Sequence, residues 1–288
     1  MKKNWLNKKT VIITGATSGI GAAVTKSLIE KHDCKVIGII IVKDGLEDFI
    51  ASLGEKKENF SYLVYDASER ASWIEIKNYL EENQIQADAI INNAGILLPF
   101  DRFENYNVSQ TERCMAVDFY SVAYSLEVMY EHISNSETPA FITVSSSAAL
   151  APLPGCSVYS AAKAANKLLT ECFALEHPEV YVGVVCPGFT KTNLFVGQAQ
   201  DMINSKLISA FMMKREKMAG KIVRGIEKKR KRMVFGMDAH VMNFMYKFFP
   251  VKGPKLCSFV MRKSKQKIFE KIYAKNEKKQ KERSSKAA

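Results

Sequence analysis

The chain runs to 288 residues, 47% of them hydrophobic and 25% charged, with a net charge of +12. Such a chain buries a core without disulfide or metal staples, which excludes a disordered segment and a stapled mini-protein. The charge is uneven, with +4 over residues 1–9, −8 over 10–220 and +16 over 221–288; a nucleic-acid reader carries its positive field on the folded domain, so no nucleic-acid partner is expected.

Apolar runs of strand length fall at 10–14, 35–42, 60–65, 88–92, 140–145, 180–186 and 232–236, and helical periodicity at 19–31, 69–83, 107–133 and 158–176. This alternation predicts a mostly parallel sheet covered by helices on both faces. Residues 189–220 form a long connection rich in Met, Phe, Leu and Ile, which reads as a lid. From Val241 to Phe249 the apolar residues fit one broad helical face ended by Pro250, with basic residues on both sides. That pattern suits a helix packed on the body or on a second subunit, and equally a basic amphipathic segment on an anionic membrane surface. From residue 262 the chain is Lys/Glu-rich, and a solvated helix fraying into a basic tail is expected.

Thr14-Gly15-Ala16-Thr17-Ser18-Gly19-Ile20-Gly21 follows the first strand and opens the first helix. Glycines there let the backbone approach a pyrophosphate, and the helix N-terminus supplies N–H donors. Alone, this fits an ordinary strand-to-helix turn as well. Asn92-Asn93-Ala94-Gly95 ends the fourth strand; Tyr159-Ser160-Ala161-Ala162-Lys163 opens a helix, with Ser146 thirteen residues earlier. Pro187-Gly188 ends the sixth strand, followed by Thr190 and Thr192. In this order and spacing the blocks resemble the short-chain dehydrogenase/reductase family over about residues 9–195.

The resemblance implies a single-domain, three-layer α/β fold of Rossmann type, with a doubly wound parallel sheet. Residues 10–261 would be the catalytic domain, residues 1–9 a basic N-terminal segment and 262–288 the tail. It further implies an NAD(P)-dependent oxidoreductase interconverting a secondary alcohol and a ketone. Tyr159 and Lys163, four apart on a helix, project from one face; a nearby ammonium and a cationic nicotinamide favour phenolate, letting Tyr159 exchange a proton with substrate oxygen. Ser146 would hold that oxygen, and Lys163 would also bind the nicotinamide ribose. Cofactor contacts are implied for Gly15, Thr17, Ser18, Gly19, Ile20, Gly21, Asn92, Asn93, Ala94, Gly95, Tyr159, Lys163, Pro187, Gly188, Thr190 and Thr192. Asp66 would take the adenine amine, with Ala67 alongside; as a helix N-cap before Ser68-Glu69 it would have a structural role instead.

Two positions depart from the family pattern. Val117-Asp118-Phe119 replaces an asparagine thought to support a proton relay, so retained chemistry with an altered or slower relay is expected. The end of the second strand offers Ile40 or Ile41 where NAD-specific members place a carboxylate. That favours NADP over NAD, with Lys43 as either a phosphate contact or a solvated strand-end residue.

Leu97, Leu98, Pro99 and Phe100, together with Leu150, Pro152, Leu153 and Cys156, would line a pocket for a bulky hydrophobic substrate that is steroid-, retinoid- or acyl-like, or would simply pack beneath the lid. A homo-oligomer is implied by the resemblance. Six cysteines without a Cys-x-x-Cys pair and the polar start of the chain point to the cytoplasm, with peripheral membrane contact through the basic C-terminal part as a variant of that placement. Four scattered histidines give no metal site. The rival reading is a catalytically weak dinucleotide sensor or scaffold of the same fold, docked to a membrane.

Overall fold

A computed structural model describes residues 4–192 and 212–274. Seven strands, β1 (Thr10–Thr14), β2 (Lys35–Ile40), β3 (Phe60–Val64), β4 (Ala89–Asn92), β5 (Ala140–Val144), β6 (Tyr181–Pro187) and β9 (Arg232–Phe235), form one sheet in the order β3-β2-β1-β4-β5-β6-β9. Every pairing in it is parallel. Two further strands, β7 (Thr190–Lys191) and β8 (Met213–Lys214), pair with each other.

Alternation along the strands fills the two faces. Val11, Ile13, Val36, Ile91 and Ile142 point to the side of α1 (Gly19–His32) and α7 (Arg215–Glu227), where Val24, Leu28, Met218 and Ile222 complete a buried cluster. Ile12, Ile37, Ile90 and Phe141, one residue out of phase, face α3 (Arg70–Glu82), α5 (Ser121–Ser134) and α6 (Ser157–Glu176) through Trp73, Leu80, Met129 and Phe173. A side-chain period of two on strands buried on both faces produces the continuous apolar runs of the sequence. The sheet is the expected doubly wound Rossmann-type sheet, and its order reverses direction between β1 and β4. In such folds ligands bind beyond the carboxyl ends of the strands at this switch point.

Several elements differ from the sequence reading. The second strand stops at Ile40, where its partner β3 runs out at Val64, so Ile41 and Val42 are solvent-exposed. A short helix α2 (Leu46–Ala51) follows, too brief to show a period. The helix expected over 107–133 is divided into α4 (Val108–Met115), a π-helical turn at Ala116–Tyr120, and α5. Of the expected lid, residues 193–211 lie outside the described residues; its last part is the start of α7.

Both chain ends are more deeply engaged than a basic segment and a solvated tail. Leu6 joins the core, and Trp5 packs against it. After α8 (Met237–Phe248) and α9 (Lys252–Lys263), a 3₁₀ turn at Lys267–Phe269 leads into α10 (Glu270–Tyr273). Ile268, Phe269 and Ile272 are buried in a cluster with Phe100 and Tyr159. Three apolar side chains spaced among lysines are enough to anchor the segment, so the folded body continues beyond residue 262 to the last described residue, Ala274.

Candidate active site

The loops after β1, β4, β5 and β6 meet around a cavity of about 530 Å³. Gly15 (φ 66°) and Gly19 (φ 53°) occupy left-handed backbone, which favours glycine. A Cβ at Gly21 would collide with the Gly15 carbonyl, so this glycine sets the closeness of helix and loop. The first bond within α1 runs from the Ala22 N–H to the Ser18 carbonyl, leaving the preceding N–H groups outside the helix's own ladder. Ser18 makes no side-chain cap, and with Thr17, Gly19 and Ile20 it lines the cavity. An uncapped helix N-terminus behind a glycine cradle fits the pyrophosphate of a dinucleotide.

Thr14 ties the two central strands together. Its Oγ1 accepts from the N–H groups of Asn93 and Ala94, both at 2.9 Å, and Asn93 Nδ2 donates to the Thr14 carbonyl at 3.0 Å. Asn93, Ala94 and Gly95 line the cavity, as do Asp66, Ala67, Pro187, Gly188, Thr190 and Thr192. Gly21 and Asn92 do not, contrary to the contacts implied for them. Gly21 is part of the cradle's packing, while Asn92 is 3% exposed and its amide has no hydrogen-bond partner among the described residues.

Ser146, Tyr159 and Lys163 are brought to one side of this cavity. Ser146 stands just beyond β5, its Oγ accepting from the Ala148 N–H at 3.1 Å. Tyr159 and Lys163 share a face of α6, with Lys163 Nζ 5.6 Å from the Tyr159 ring centre. Burial pushes the Tyr159 phenol up to about 12; Lys163 pulls it down, Asp118 raises it and a hydrogen bond with Ser146 lowers it. Burial thus opposes the Lys163 ammonium at this phenol.

Asp118 is the main departure, in geometry as in sequence. The π-helical turn presents it, fully buried, to Lys163 at 2.9 Å. Its Oδ2 accepts from the Ile96 N–H at 3.2 Å and from the Cys114 thiol at 3.5 Å, while Asn166 Nδ2 donates to its carbonyl at 2.7 Å. Burial raises the Asp118 carboxyl against the pull of Lys163. Burial lowers Lys163, but the neighbouring Asp118 and Tyr159 outweigh this and raise it.

Asp66, expected to face adenine, is not a helix N-cap. That position belongs to Glu69, and the Asp66 carboxylate instead accepts from the Ser68 N–H at 2.9 Å and pairs with Arg113 at 2.9 Å. Lys43 does not line the cavity, whereas Ile41, Val42 and Asp44 do. Arg113 and Asp44 escaped the sequence reading because neither sits in a recognisable motif. Tyr106 escaped it too: its hydroxyl lies 2.8 Å from the Pro99 carbonyl and 2.7 Å from that of Gly155, bridging the loops after β4 and β5.

The sequence profile of the short chain dehydrogenases matches residues 9–203. The chain belongs to this family. Among its relatives, a benzil reductase ((S)-benzoin forming) of Saccharomyces cerevisiae is 31% identical over 194 residues, covering 65% of this chain and 73% of that one. The 11-beta-hydroxysteroid dehydrogenase-like 2 protein of Arabidopsis thaliana is 28% identical over 224 residues, covering 76% and 70%. The fold of this short chain dehydrogenase is shared by an alcohol dehydrogenase from the archaeon Thermococcus sibiricus solved with 5-hydroxy-NADP. The TM-score is 0.69 at 22% identity, over 79% of this chain and 96% of that one. In this dehydrogenase Leu97, Phe100, Leu153, Met212, Met261 and Phe269 cluster around Tyr159 as an apolar wall. Leu97, Phe100, Leu153 and Cys156 line the cavity, whereas Leu98, Pro99, Leu150 and Pro152 do not; Phe269 comes from the segment expected to leave the body.

Proposed function

We propose that this dehydrogenase interconverts a bulky hydrophobic secondary alcohol and its ketone, using NAD(P) and the residues Ser146, Tyr159 and Lys163. The observation carrying the reading is the convergence of these three side chains in the cavity that the uncapped, glycine-cradled helix also borders. When bound, the nicotinamide would supply or accept the hydride. Ser146 would hold the substrate oxygen and Tyr159 would give or take its proton, a positioned acid–base step worth about 10²–10⁴-fold. Lys163 would tune Tyr159 and hold ribose hydroxyls. Gly15, Thr17, Ser18, Gly19 and Ile20 would hold the pyrophosphate, Asn93, Ala94 and Gly95 the adjoining ribose, and Pro187, Gly188, Thr190 and Thr192 the carboxamide or a phosphate.

An apolar wall supports a steroid-, retinoid- or acyl-like substrate. The strand end at Ile40 carries no carboxylate, which supports NADP, although Asp44 nearby would oppose a 2′-phosphate. Exposed Tyr120, Leu168 and Leu175 on the helices around β5 support assembly with a second copy, and the six free cysteines support a reducing compartment such as the cytoplasm.

The test is fluorescence-detected binding of NADPH and NADH, followed by absorbance at 340 nm with steroid, retinoid-like and aliphatic ketones. Tyr159→Phe is expected to remove at least about 10²-fold of turnover while nucleotide affinity stays near its starting value. Preserved turnover in that variant would sink the assignment. The buried Asp118–Lys163 pair favours a second reading, a dinucleotide sensor with weak chemistry. Tight nucleotide binding without turnover across the panel would support it.

A further inference from the structure

Helices α8 and α9 form a hairpin closed where Gly253 packs against Met245; a Cβ at Gly253 would stand 2.7 Å from the Met245 carbonyl oxygen. Ala239, Gly253 and Met261 face inward and are buried. Val241, Phe244, Phe248, Phe249, Phe259 and Val260 lie on the outside, each 48–57% exposed. Of the 21 exposed large apolar side chains among the described residues, ten fall between Met237 and Val260. Such clustering marks a contact surface rather than the scattered exposure of an ordinary exterior.

The charge on this hairpin has one sign. Lys247, Lys252, Lys255, Arg262 and Lys263 have Asp238 as their only acidic counterpart within residues 237–263. Asp238 is turned inward, accepting from the Phe189 N–H at 2.7 Å. Lys247 Nζ lies 5.5 Å from the Phe248 ring centre and Lys263 Nζ 5.8 Å from that of Phe259. Ammonium groups bordering half-exposed phenyl rings are the arrangement in which apolar side chains enter an acyl layer while amines remain among headgroups.

Between the helices runs an apolar trough of about 250 Å³, whose walls include Val241, Met245, Leu256 and Val260 together with Ala151 and Pro152. Those two residues belong to the loop joining Ser146 to Tyr159. The next residue of that loop, Leu153, lines the larger cavity, so adjacent residues border the trough and that cavity.

We infer that the α8–α9 hairpin docks this dehydrogenase on an anionic membrane surface, with the trough beside Ala151 and Pro152 admitting lipophilic substrate from the bilayer. Charge complementarity selects this occupant. A second copy seated across a two-fold axis would set the same five cations against their equivalents, whereas anionic headgroups neutralise them. The docking half stands on the hairpin alone; the entry half rests on the proposed activity.

Sedimentation of the full chain with vesicles of phosphatidylcholine, and of phosphatidylcholine with phosphatidylserine, tests docking. Capture by the phosphatidylserine vesicles is expected, weakening as salt rises and falling about fivefold for each lysine charge removed. Two variants, Phe244→Ser/Phe248→Ser/Phe259→Ser and Lys247→Glu/Lys252→Glu/Lys255→Glu, should each lose at least tenfold in partitioning. Both alter exposed positions, and unchanged melting would show that they fold. No capture of the wild type, or capture indifferent to both variants, would overturn the proposal. So would a dimer seen by sedimentation velocity that the phenylalanine variant abolishes, since a second copy would then cover the face. For entry, vesicles should lower the KM for a lipophilic ketone in the wild type but not in the variants, with kcat on a water-soluble ketone unchanged. Equal KM in all three would overturn entry while leaving docking intact, and failure of the activity itself would leave the sedimentation result standing.

Discussion

Asp118 places a carboxylate 2.9 Å from the Lys163 ammonium group, which would tune Tyr159 in the proposed activity. Lys163 lowers the phenol's proton affinity and Asp118 raises it, so the carboxylate partly cancels the lysine. Asp118→Asn keeps an oxygen for the Ile96 N–H and removes that opposing charge. The rising limb of kcat/KM against pH, measured in the alcohol-oxidising direction, is expected to move about one unit toward lower pH. An unmoved limb would show that Asp118 acts only in packing. At this scale the sequence is legible where residues fall in spaced blocks: Tyr159 and Lys163 are set by one helical turn, and Gly15 and Gly19 by a strand-to-helix turn. Arg113 on Asp66 and Tyr106 on Gly155 were illegible, since each pair is joined only by packing across 47 and 49 residues of chain.

The elements show where periodicity stops being informative. Residues 107–133 repeat as one helix in sequence, yet a π-helical turn divides them and presents Asp118 to Lys163; such single-turn widenings leave no mark on hydrophobic period and often occur at functional sites. Residues 262–274 depart from the expected solvated helix for a related reason, because lysines surround their three apolar anchors. Phe269 packs edge-on against Phe100 at 5.7 Å, so Phe269→Ala is expected to cost about 3 kcal/mol of stability, read from denaturant midpoints at constant m. A loss below about 0.5 kcal/mol would show that the segment contributes little to the body. On α5, burial lowers the pKa of His132, whose Nε2 accepts from the Ala87 N–H at 3.3 Å. The folded state therefore prefers neutral imidazole. The stability this provides is present above the ordinary value of 6.5 and is lost as pH falls through it. Unfolding midpoints should drop more steeply below that pH in the wild type than in His132→Gln, and parallel curves would count against the assignment.

Across the whole molecule, the alternation of strand and helix was enough to give layer order and the position of the site, because parallel pairing places the loops after β1, β4, β5 and β6 at one edge. The ends of the chain were not legible in this way. Leu6 sits in the core, and Trp5 Nε1 lies 3.2 Å from the carbonyls of both Ile226 and Glu227. Partners more than 220 residues apart leave no local signature.

That last pairing also bears on how the molecule is made. A nascent chain emerges from its N-terminus, so Trp5 waits without its acceptors until Glu227 has been synthesised, and the Phe100 side of the pocket waits longer for Phe269 and Ile272. The α1 face of β1 is therefore left without its α7 cover through most of translation, and a product terminated before α7 carries that apolar surface permanently uncovered.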